Sequence, residues 1–401
     1  MAGMDVVRSI AVYKNMKDPS LLKYYYKFKA LEHVSGNEVQ GSSPPDIFVG
    51  RFGYPNVSIG PMVPPQFGDT SIMSTPERWV GRSIPEIVEF RSMLIRGMYR
   101  TRITNADNGR IEEMVKELAI SDQYSGVTET LAHKPILRMS FDENSQPYGP
   151  SAALKDMRID NTKTNQKLES AYHDTAMPAK DAIIELYEKS VLVSKIQKAL
   201  SAGVLGTGKN RKFVPTGWSI TAVDDTIGRY KLGSVKEYES IDSIRVYQNN
   251  ALDNRWLVIM FPGAWEYELV EAWYPKTSWN PDGKSIDIYS SYEPFTGRKK
   301  YAEIGGCYYA ARLASTELLD RMKSQARVVI LREAHEGYIM PVGVWNVREH
   351  VREALRGEPL LFEDREQLYS FVSSKMDIPV KTWIKNSTLL RKEMYQKHLV
   401  G

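Results

Sequence analysis

Two adjacent carboxylates, Asp224 and Asp225, follow the apolar run 218–223. If this run is a strand, the pair ends it, and carboxylates there can hold Mg²⁺ for phosphoryl transfer. Successive strand residues face opposite sides of a sheet, so only one of the two points inward unless the chain bends. We favour the alternative that Asp225 caps the turn 225–228. With Asp69 of the loop 68–71, these are the candidate metal ligands or general base, and Mg²⁺ is the one cofactor that the pattern suggests.

A basic loop, Lys209-Asn210-Arg211-Lys212, follows a glycine-rich stretch. Glycine backbone next to basic side chains can approach phosphate groups, so Lys209, Arg211 and Lys212 are candidate phosphate contacts. A nucleotide-hydrolase phosphate loop requires Ser or Thr after the lysine, and Asn210 stands there instead. A solvent-exposed turn is the plain alternative. The other basic candidates for phosphate binding are Arg51, Arg91, Arg96, Arg298, Lys299 and Lys300.

Nucleophile and zinc chemistry find little support. The single cysteine, Cys307, excludes an internal disulfide and a multi-cysteine zinc site, and the six histidines are scattered. Cys307 lies on or beside an apolar helix, which is typical of a buried structural thiol. We therefore predict no structural zinc and no metal site of cysteine and histidine. The residues alone leave open whether the chain is an enzyme.

The elements that position these residues alternate between helix and strand. Ser74-x-x-Glu77 and Ser83-x-x-Glu86 have capping-box spacing, and the second predicts a helix that continues to residue 98. A further helix is predicted over 181–200. Strands are predicted at 47–49, 56–59, 243–248, 256–261, 266–274 and 328–331, with later helices at 307–326, 344–355 and 363–375.

This succession predicts an α+β (mixed α/β) fold, in which helices pack on a sheet, with a long irregular segment rich in Gly and Pro over 41–76. A polar, proline-containing stretch over 275–300 is the best candidate boundary. We expect an extension over 1–40, an α+β region over 41–285, and a mostly helical region with one or two strands over 286–401.

Composition limits the class of protein. The 401 residues carry 53 basic and 49 acidic side chains, a net charge of +4 that is too small to indicate a nucleic-acid binder. No apolar run reaches the roughly 18 residues of a membrane span, and no signal peptide is evident. The sequence predicts a cytoplasmic globular protein without a membrane partner.

Several long strings resemble the archaeal Nre family of DNA-repair proteins. They are SPPDIFVGRFGYPNVSIGPMVP (43–64), GDTS (68–71), EIVEFRSMLIRG (86–97), GPSA (149–152), SAGVLG (201–206), RKFVPTGWSITAVDDTIG (211–228), GGCYYAARLA (305–314) and MPVGVWNVRE (340–349). The resemblance implies a part in DNA damage repair through the replication sliding clamp (PCNA), and N- and C-terminal regions that agree with the boundary above. It supplies no established active site.

Three departures limit what the resemblance implies. Some members carry an N-terminal cysteine cluster of zinc-finger type, which this chain lacks. Gly217 stands where many relatives have arginine, so one basic contact is missing. Clamp-binding tails end in an aromatic pair, but here the chain supplies Gln396 and Leu399 and then stops, so we expect direct clamp binding to be weak.

The resulting expectation is a DNA damage repair factor that binds nucleic acid, acts with the sliding clamp, or does both. A metal-dependent enzyme acting on a nucleotide or phosphodiester at Asp69, Asp224 and Asp225 is the first alternative. A clamp-associated scaffold without chemistry is the second.

Overall fold

The computed structural model describes residues 29–136, 148–160, 162–277, 279–338, 340 and 342–395. Within these residues lie eleven α-helices and two six-stranded sheets, which confirms the predicted α+β class.

The first sheet is formed by the N-terminal part of the chain. Its strands are β1 (Glu38–Ser43), β2 (Ile47–Val49), β3 (Asn56–Val63), β4 (Ile95–Arg102), β5 (Ser125–Leu131) and β6 (Ser151–Asp160). Their order is β1-β5-β6-β4-β3-β2, and all neighbours are antiparallel except β4 and β6, which run parallel.

Five helices accompany this sheet. They are α1 (Ile84–Ser92), α2 (Arg110–Ile120), α3 (Gln166–His173), α4 (Ala179–Glu188) and α5 (Val193–Ser201). One apolar core joins sheet residues such as Val57 and Val127 to helix residues such as Leu118 and Ile196. Burial of this common core holds the N-terminal layers together.

The second sheet is formed further along the chain. Its strands are β7 (Ile244–Ala251), β8 (Asn254–Phe261), β9 (Glu266–Trp273), β10 (Asp287–Glu293), β11 (Arg327–Ala334) and β12 (Leu360–Phe362). Their order is β10-β9-β11-β8-β7-β12. Strand β11 therefore lies between β8 and β9, antiparallel to the first and parallel to the second.

Helices cover both faces of the second sheet. They are α6 (Thr216–Val235), α7 (Gly306–Met322), α8 (Trp345–Ala354), α9 (Arg365–Lys375), α10 (Val380–Asn386) and α11 (Thr388–Tyr395). Alternate residues of β11 enter different cores: Val328 and Ile330 pack with α6, α7 and α8, whereas Val329 and Leu331 pack with α9, α10 and α11. This two-sided burial explains why β11 reads as a continuous apolar run in the sequence.

A fourth core connects the two halves of the chain. Trp79, Ile87 and Val88 from the N-terminal half pack with Trp273, Trp345 and other residues of the C-terminal half. The rings of Trp79 and Trp345 meet edge to face, with centroids 5.1 Å apart. The two halves of the chain therefore share a buried apolar contact in addition to the cores of the two sheets.

The second sheet takes strands from both sides of residue 285. Strands β7, β8 and β9 precede that residue, whereas β10, β11 and β12 follow it. The division at 285 thus separates two sequence regions that contribute to one sheet, and the described part of 286–401 holds three strands.

Several predicted elements are confirmed. Ser83 and Glu86 form the predicted capping box at the start of α1. The predicted strand 47–49 coincides with β2, and 56–59 is the first half of β3. The strands and helices predicted beyond residue 243 occur within a few residues of their expected ends.

Other predicted elements are wrong. The run 218–223 is helical and belongs to α6, because its buried positions recur at helical spacing against α5 and α7. The helix that begins at Ser83 ends at Ser92, and residues from Ile95 onward form β4. The predicted helix 181–200 is two helices, since Ser190 between them has a positive φ of 59°. Ser74 and Glu77 form no capping box, because Glu77 accepts hydrogen bonds from Ser194 instead.

In the described part of the chain, every helix is too short or too polar to cross a membrane.

Candidate nucleic-acid interface

A groove lined by arginines and aromatic rings opens between the β2–β3 turn, β4 and the start of α6. It encloses about 240 Å³. We call it the arginine–aromatic groove: its lining includes Arg51, Phe52, Arg96, Arg100 and Trp218, and Tyr54 packs against Trp218 at its edge. Three aromatic side chains there are unusually exposed, with Phe52 at 77%, Tyr54 at 50% and Trp218 at 47%.

The turn that presents Phe52 is held by Arg100. The Arg100 Nη1 group donates a hydrogen bond to the Phe52 carbonyl over 3.1 Å. Gly53 has a φ of 80°, and a Cβ there would lie only 2.1 Å from Arg100 Nη2. The backbone conformation therefore favours glycine, and a Cβ here would also displace the Arg100 guanidinium. The turn conformation, and with it the exposure of Phe52, depends on this fit.

The opposite wall is the first turn of α6. Thr216 Oγ1 accepts a hydrogen bond of 2.9 Å from the Val49 backbone N–H, which ties α6 to β2. This contact brings the Trp218 ring to a centroid distance of 5.2 Å from Tyr54. The two exposed rings thus form one aromatic surface from residues more than 160 positions apart.

The floor of the groove carries a buried positive charge. The guanidinium of Arg96 lies 4.5 Å from the Tyr148 ring centroid and 5.3 Å from that of Phe48. Cation–π contacts of this kind fix a guanidinium in place beneath the surface. A ligand in the groove would therefore meet aromatic faces at the rim and arginine charge at the rim and floor.

Among the predicted basic residues, only Arg51 and Arg96 line this groove. Gly217, the position at which the family resemblance predicts an arginine, also lines the groove. Lys209 and Lys212 are exposed on the preceding loop. Lys212 lies beside β4, since the next residue, Phe213, donates its backbone N–H to the Ile103 carbonyl.

Three predicted phosphate ligands have structural partners instead. Arg211 is buried and donates to the carbonyls of Gly206, Tyr172 and Asp174, so it shapes its own loop. Arg298 donates to backbone carbonyls around it and to Glu303.

The third, Arg91, is buried and forms an ion pair of 2.7 Å with Asp46. Lys299 and Lys300, which follow Arg298 in the sequence, are exposed. Exposure therefore separates the candidates that could reach phosphate from those that hold the fold.

The adjacent carboxylates are both engaged by arginines. Asp224 is fully buried, and Arg348 Nη1 lies 2.9 and 3.0 Å from its two oxygens. Burial outweighs the nearby guanidinium groups and raises the pKa of Asp224 to about 6. Asp225 pairs with Arg312 and Arg229. Because consecutive helical residues point about 100° apart, each carboxylate reaches a different helix, α8 or α7.

This arrangement does not fit a metal site at the pair. The Asp224 oxygens accept from guanidinium and from Gln197, and the side chain has no contact with solvent. Asp69 is on an exposed loop, where hydrogen bonds from Ser71 lower its pKa. Asp69 and Asp224 share no partner within the described residues. The three predicted acids therefore do not form one Mg²⁺ site.

Two carboxylates and a histidine that the sequence did not indicate as a site lie close together elsewhere in the structure. Ligand atoms of Glu333, His335 and Asp377 lie within 4.8 Å of one another. Glu333 already accepts the backbone N–H groups of Ile378 and Asp377, and Arg255 lies 2.5 Å from Asp377. These contacts secure the chain that enters α10, and we assign the group that structural role.

Sequence reasoning missed Phe52, Tyr54, Arg100 and Trp218 as a site. The signal that could have found part of it is Arg51-Phe52-Gly53-Tyr54, which alternates basic, aromatic and glycine residues in a turn. Gln396 and Leu399 of the predicted clamp-binding tail lie outside the described residues, so clamp binding stays a prediction.

Comparison with known proteins matches nearly the whole chain to one family. Residues 16–280 match the family described as archaeal Nre, N-terminal, and residues 293–400 match archaeal Nre, C-terminal. The chain is 41% identical to DNA repair protein NreB of Archaeoglobus fulgidus, over 88% of this chain and 90% of that protein. It is 37% identical to DNA repair protein NreA of Haloferax volcanii, over 82% of this chain and 80% of that protein.

A third relative, DNA repair protein NreA of Archaeoglobus fulgidus, is 33% identical over 88% of this chain and 89% of that protein. No solved structure matches the chain. Both regions of the family are therefore present in their usual order, and the chain belongs to the archaeal Nre family.

Proposed function

We propose that this protein is a DNA repair factor of the cytoplasm that binds DNA through the arginine–aromatic groove. The observation that carries the proposal is the grouping of exposed Phe52 and Trp218 with arginine side chains in one groove, with exposed Tyr54 against Trp218 at its edge. Its relatives bear the name DNA repair protein, which is consistent with a DNA ligand.

The groove chemistry suits unpaired bases. Aromatic side chains stack on bases of any identity, and each such contact is worth about 1–3 kcal/mol by alanine substitution. Arginine charge binds the phosphate backbone and makes affinity fall with salt. A groove built from both favours single-stranded or locally unpaired DNA over an intact duplex, whose bases are hidden in the stack.

The predicted catalytic alternative receives no comparable support. Asp224 and Asp225 hold arginines of α8 and α7, as described above. We therefore propose recognition of DNA as the role of the groove and assign no reaction to it.

The test measures DNA binding by the intact protein. Fluorescence anisotropy gives its affinity for labelled single-stranded and duplex oligonucleotides over a salt series. We expect Trp218→Ala to weaken single-strand binding about tenfold, within the range for loss of one stacking contact. We expect Arg51→Ala to weaken binding and to reduce the slope of log affinity against log salt by about 0.7, the value for one lost phosphate contact.

Two variants outside the groove serve as controls. Arg356→Ala removes another exposed arginine, and Tyr124→Ala removes another exposed aromatic ring. Both should bind as the unaltered protein does. Failure of the unaltered protein to bind either form of DNA at about 50 mM salt would refute the proposal, as would groove variants that bind like the controls.

A further inference from the structure

A second group of exposed aromatic and basic side chains lies at the far end of α6. Phe295 is 45% exposed and Tyr301 is 57% exposed. With Lys236, Lys299 and Lys300 they form what we call the distal cluster. Its composition repeats that of the arginine–aromatic groove, aromatic faces beside positive charge.

The distal cluster is built by specific contacts. Lys236 Nζ donates to the Phe295 carbonyl over 2.5 Å and lies 4.9 Å from the Phe295 ring centroid. Arg298 donates to the carbonyls of Tyr292 and Tyr301, which fixes the loop between them. A half-buried arginine thus shapes the presenting loop here, as the exposed Arg100 shapes the turn of the groove.

Helix α6 connects the two places. Trp218 lies in its first turn, and Lys236 is the residue that caps its C-terminal end. At about 1.5 Å per helical residue, these two positions are about 27 Å apart along the axis. The same rigid element therefore positions both groups.

One face of α6 runs without a large obstacle between them. At 100° per residue, the positions on this face are Trp218, Ala222, Asp225, Arg229, Gly233 and Lys236. Ala222 and Gly233 are small and exposed, and nothing lies within 4 Å of a Cβ added at Gly233. The charge of Asp225 is paired with Arg229 and Arg312. The face is consequently open and carries net positive charge.

We propose that the groove, the exposed face of α6 and the distal cluster form one continuous binding track for a single strand of nucleic acid. This inference rests on the proposed function and extends it to a ligand length. A track of about 27 Å corresponds to about eight nucleotides at the stacked spacing of about 3.4 Å. Bases stack on Tyr54 and Trp218 at one end and on Phe295 and Tyr301 at the other, while Arg229 and Lys236 meet phosphates.

The test compares short and long single strands, of about 4 and about 16 nucleotides, which span the range of single-strand site sizes. The double variant Lys236→Ala with Phe295→Ala should weaken binding of the long strand about tenfold. Binding of the short strand, which fits in the groove alone, should change less than twofold. The matched control is Lys375→Ala with Phe371→Ala, another lysine over a phenylalanine ring, at 5.5 Å, and it should change neither.

A second pair of variants examines the middle of the track. Gly233→Glu places a negative charge on the open face of α6, whereas Gly233→Gln places an uncharged side chain of the same shape there. We expect the Glu variant to weaken binding of the long strand several times more than the Gln variant. Circular dichroism of both variants verifies that the helix is retained.

The outcomes separate this inference from the proposed function. Equal affinity for short and long strands, or distal variants that match their control while Trp218→Ala still weakens binding, overturns the track and leaves the groove. Absence of DNA binding by the unaltered protein overturns both. If the distal cluster instead contacts a protein, the distal variants will match their control while Trp218→Ala still weakens DNA binding.

Discussion

Asp224 shows how a residue that suggests catalysis can serve the fold. Its carboxylate is fully buried and faces Arg348, a residue of the NVRE string, while Asp225 faces Arg312 of the AAR string. Ion pairs thus join residues from three of the sequence strings on which the family resemblance rests, across three helices.

Replacement of Asp224 by asparagine should therefore reduce stability. The substitution leaves the buried Arg348 without its main counter-charge, and breaking such a pair costs about 3 kcal/mol or more. Urea unfolding at neutral pH measures the loss. Glu353→Gln, which removes an exposed pair with Arg356, should cost less than about 1 kcal/mol. An Asp224→Asn protein of normal stability that had lost repair function would restore the catalytic interpretation.

His350 predicts a pH dependence of stability. It is buried in α8, and burial lowers its pKa from 6.5 to about 4. Below pH 6.5 His350 becomes protonated in the unfolded chain but stays neutral in the folded chain. The free energy of unfolding therefore falls as the pH falls toward 4. The shift corresponds to about 3 kcal/mol over this range.

The measurement is urea unfolding at several pH values between 7 and 4. In His350→Gln the part of the pH dependence due to this residue should disappear. His133→Gln, at an exposed histidine, should keep the full dependence. A slope that is the same in all three proteins would contradict the assignment to His350.

At the scale of elements, the turn between β2 and β3 couples conformation to binding. Gly53→Ala should weaken single-strand binding and lower stability by about 1 kcal/mol or more, because a φ of 80° is strained for alanine and a Cβ there displaces the Arg100 guanidinium that holds the turn. Anisotropy and thermal unfolding measure the two effects. Gly36→Ala, at a glycine with open space around it, is the control and should change neither.

How far the sequence could predict an element depended on whether its signal is local. The capping box at Ser83 and the strand Glu266–Trp273, with its alternating residue types, can be predicted from a few consecutive residues. The segment 218–223 does not, since its β-branched residues favour a strand and only packing against α5 and α7 makes it helical. The same tertiary contacts create the groove, because Tyr54 and Trp218 meet only when α6 is a helix tied to β2. Arg51 and Arg96 were within reach of sequence reasoning, but their ring partners were not.

At the scale of the whole molecule, the two sequence regions depend on each other. Strand β11 belongs to 286–401 and fills the centre of a sheet whose neighbouring strands belong to 41–285. Ile330, for example, lies opposite Val258 on one side and Leu269 on the other. A chain cut at the sequence boundary therefore loses the middle of the second sheet.

A fragment of residues 41–285 should accordingly be only partly folded. We expect the amide protons of β8 and β9 to exchange rapidly in the fragment, because the backbone groups that β11 satisfies are open to water. The amides of β3 and β4, in the first sheet, should remain protected. Hydrogen exchange followed by mass spectrometry compares the fragment with the intact chain, in which both sets should be protected. Protection of β8 and β9 in the fragment would show that the region folds without its partner.

The central position of β11 also has a consequence for synthesis of the protein. While the ribosome is still adding residues before 334, the apolar edges of β8 and β9 are finished but have no strand between them. Parallel pairing such as that of β9 with β11 is a non-local event, and exposed strand edges of this kind attract other chains. The nascent chain thus passes through a period in which these edges are open to pairing with other chains, and slow translation just before residue 327 would lengthen that period.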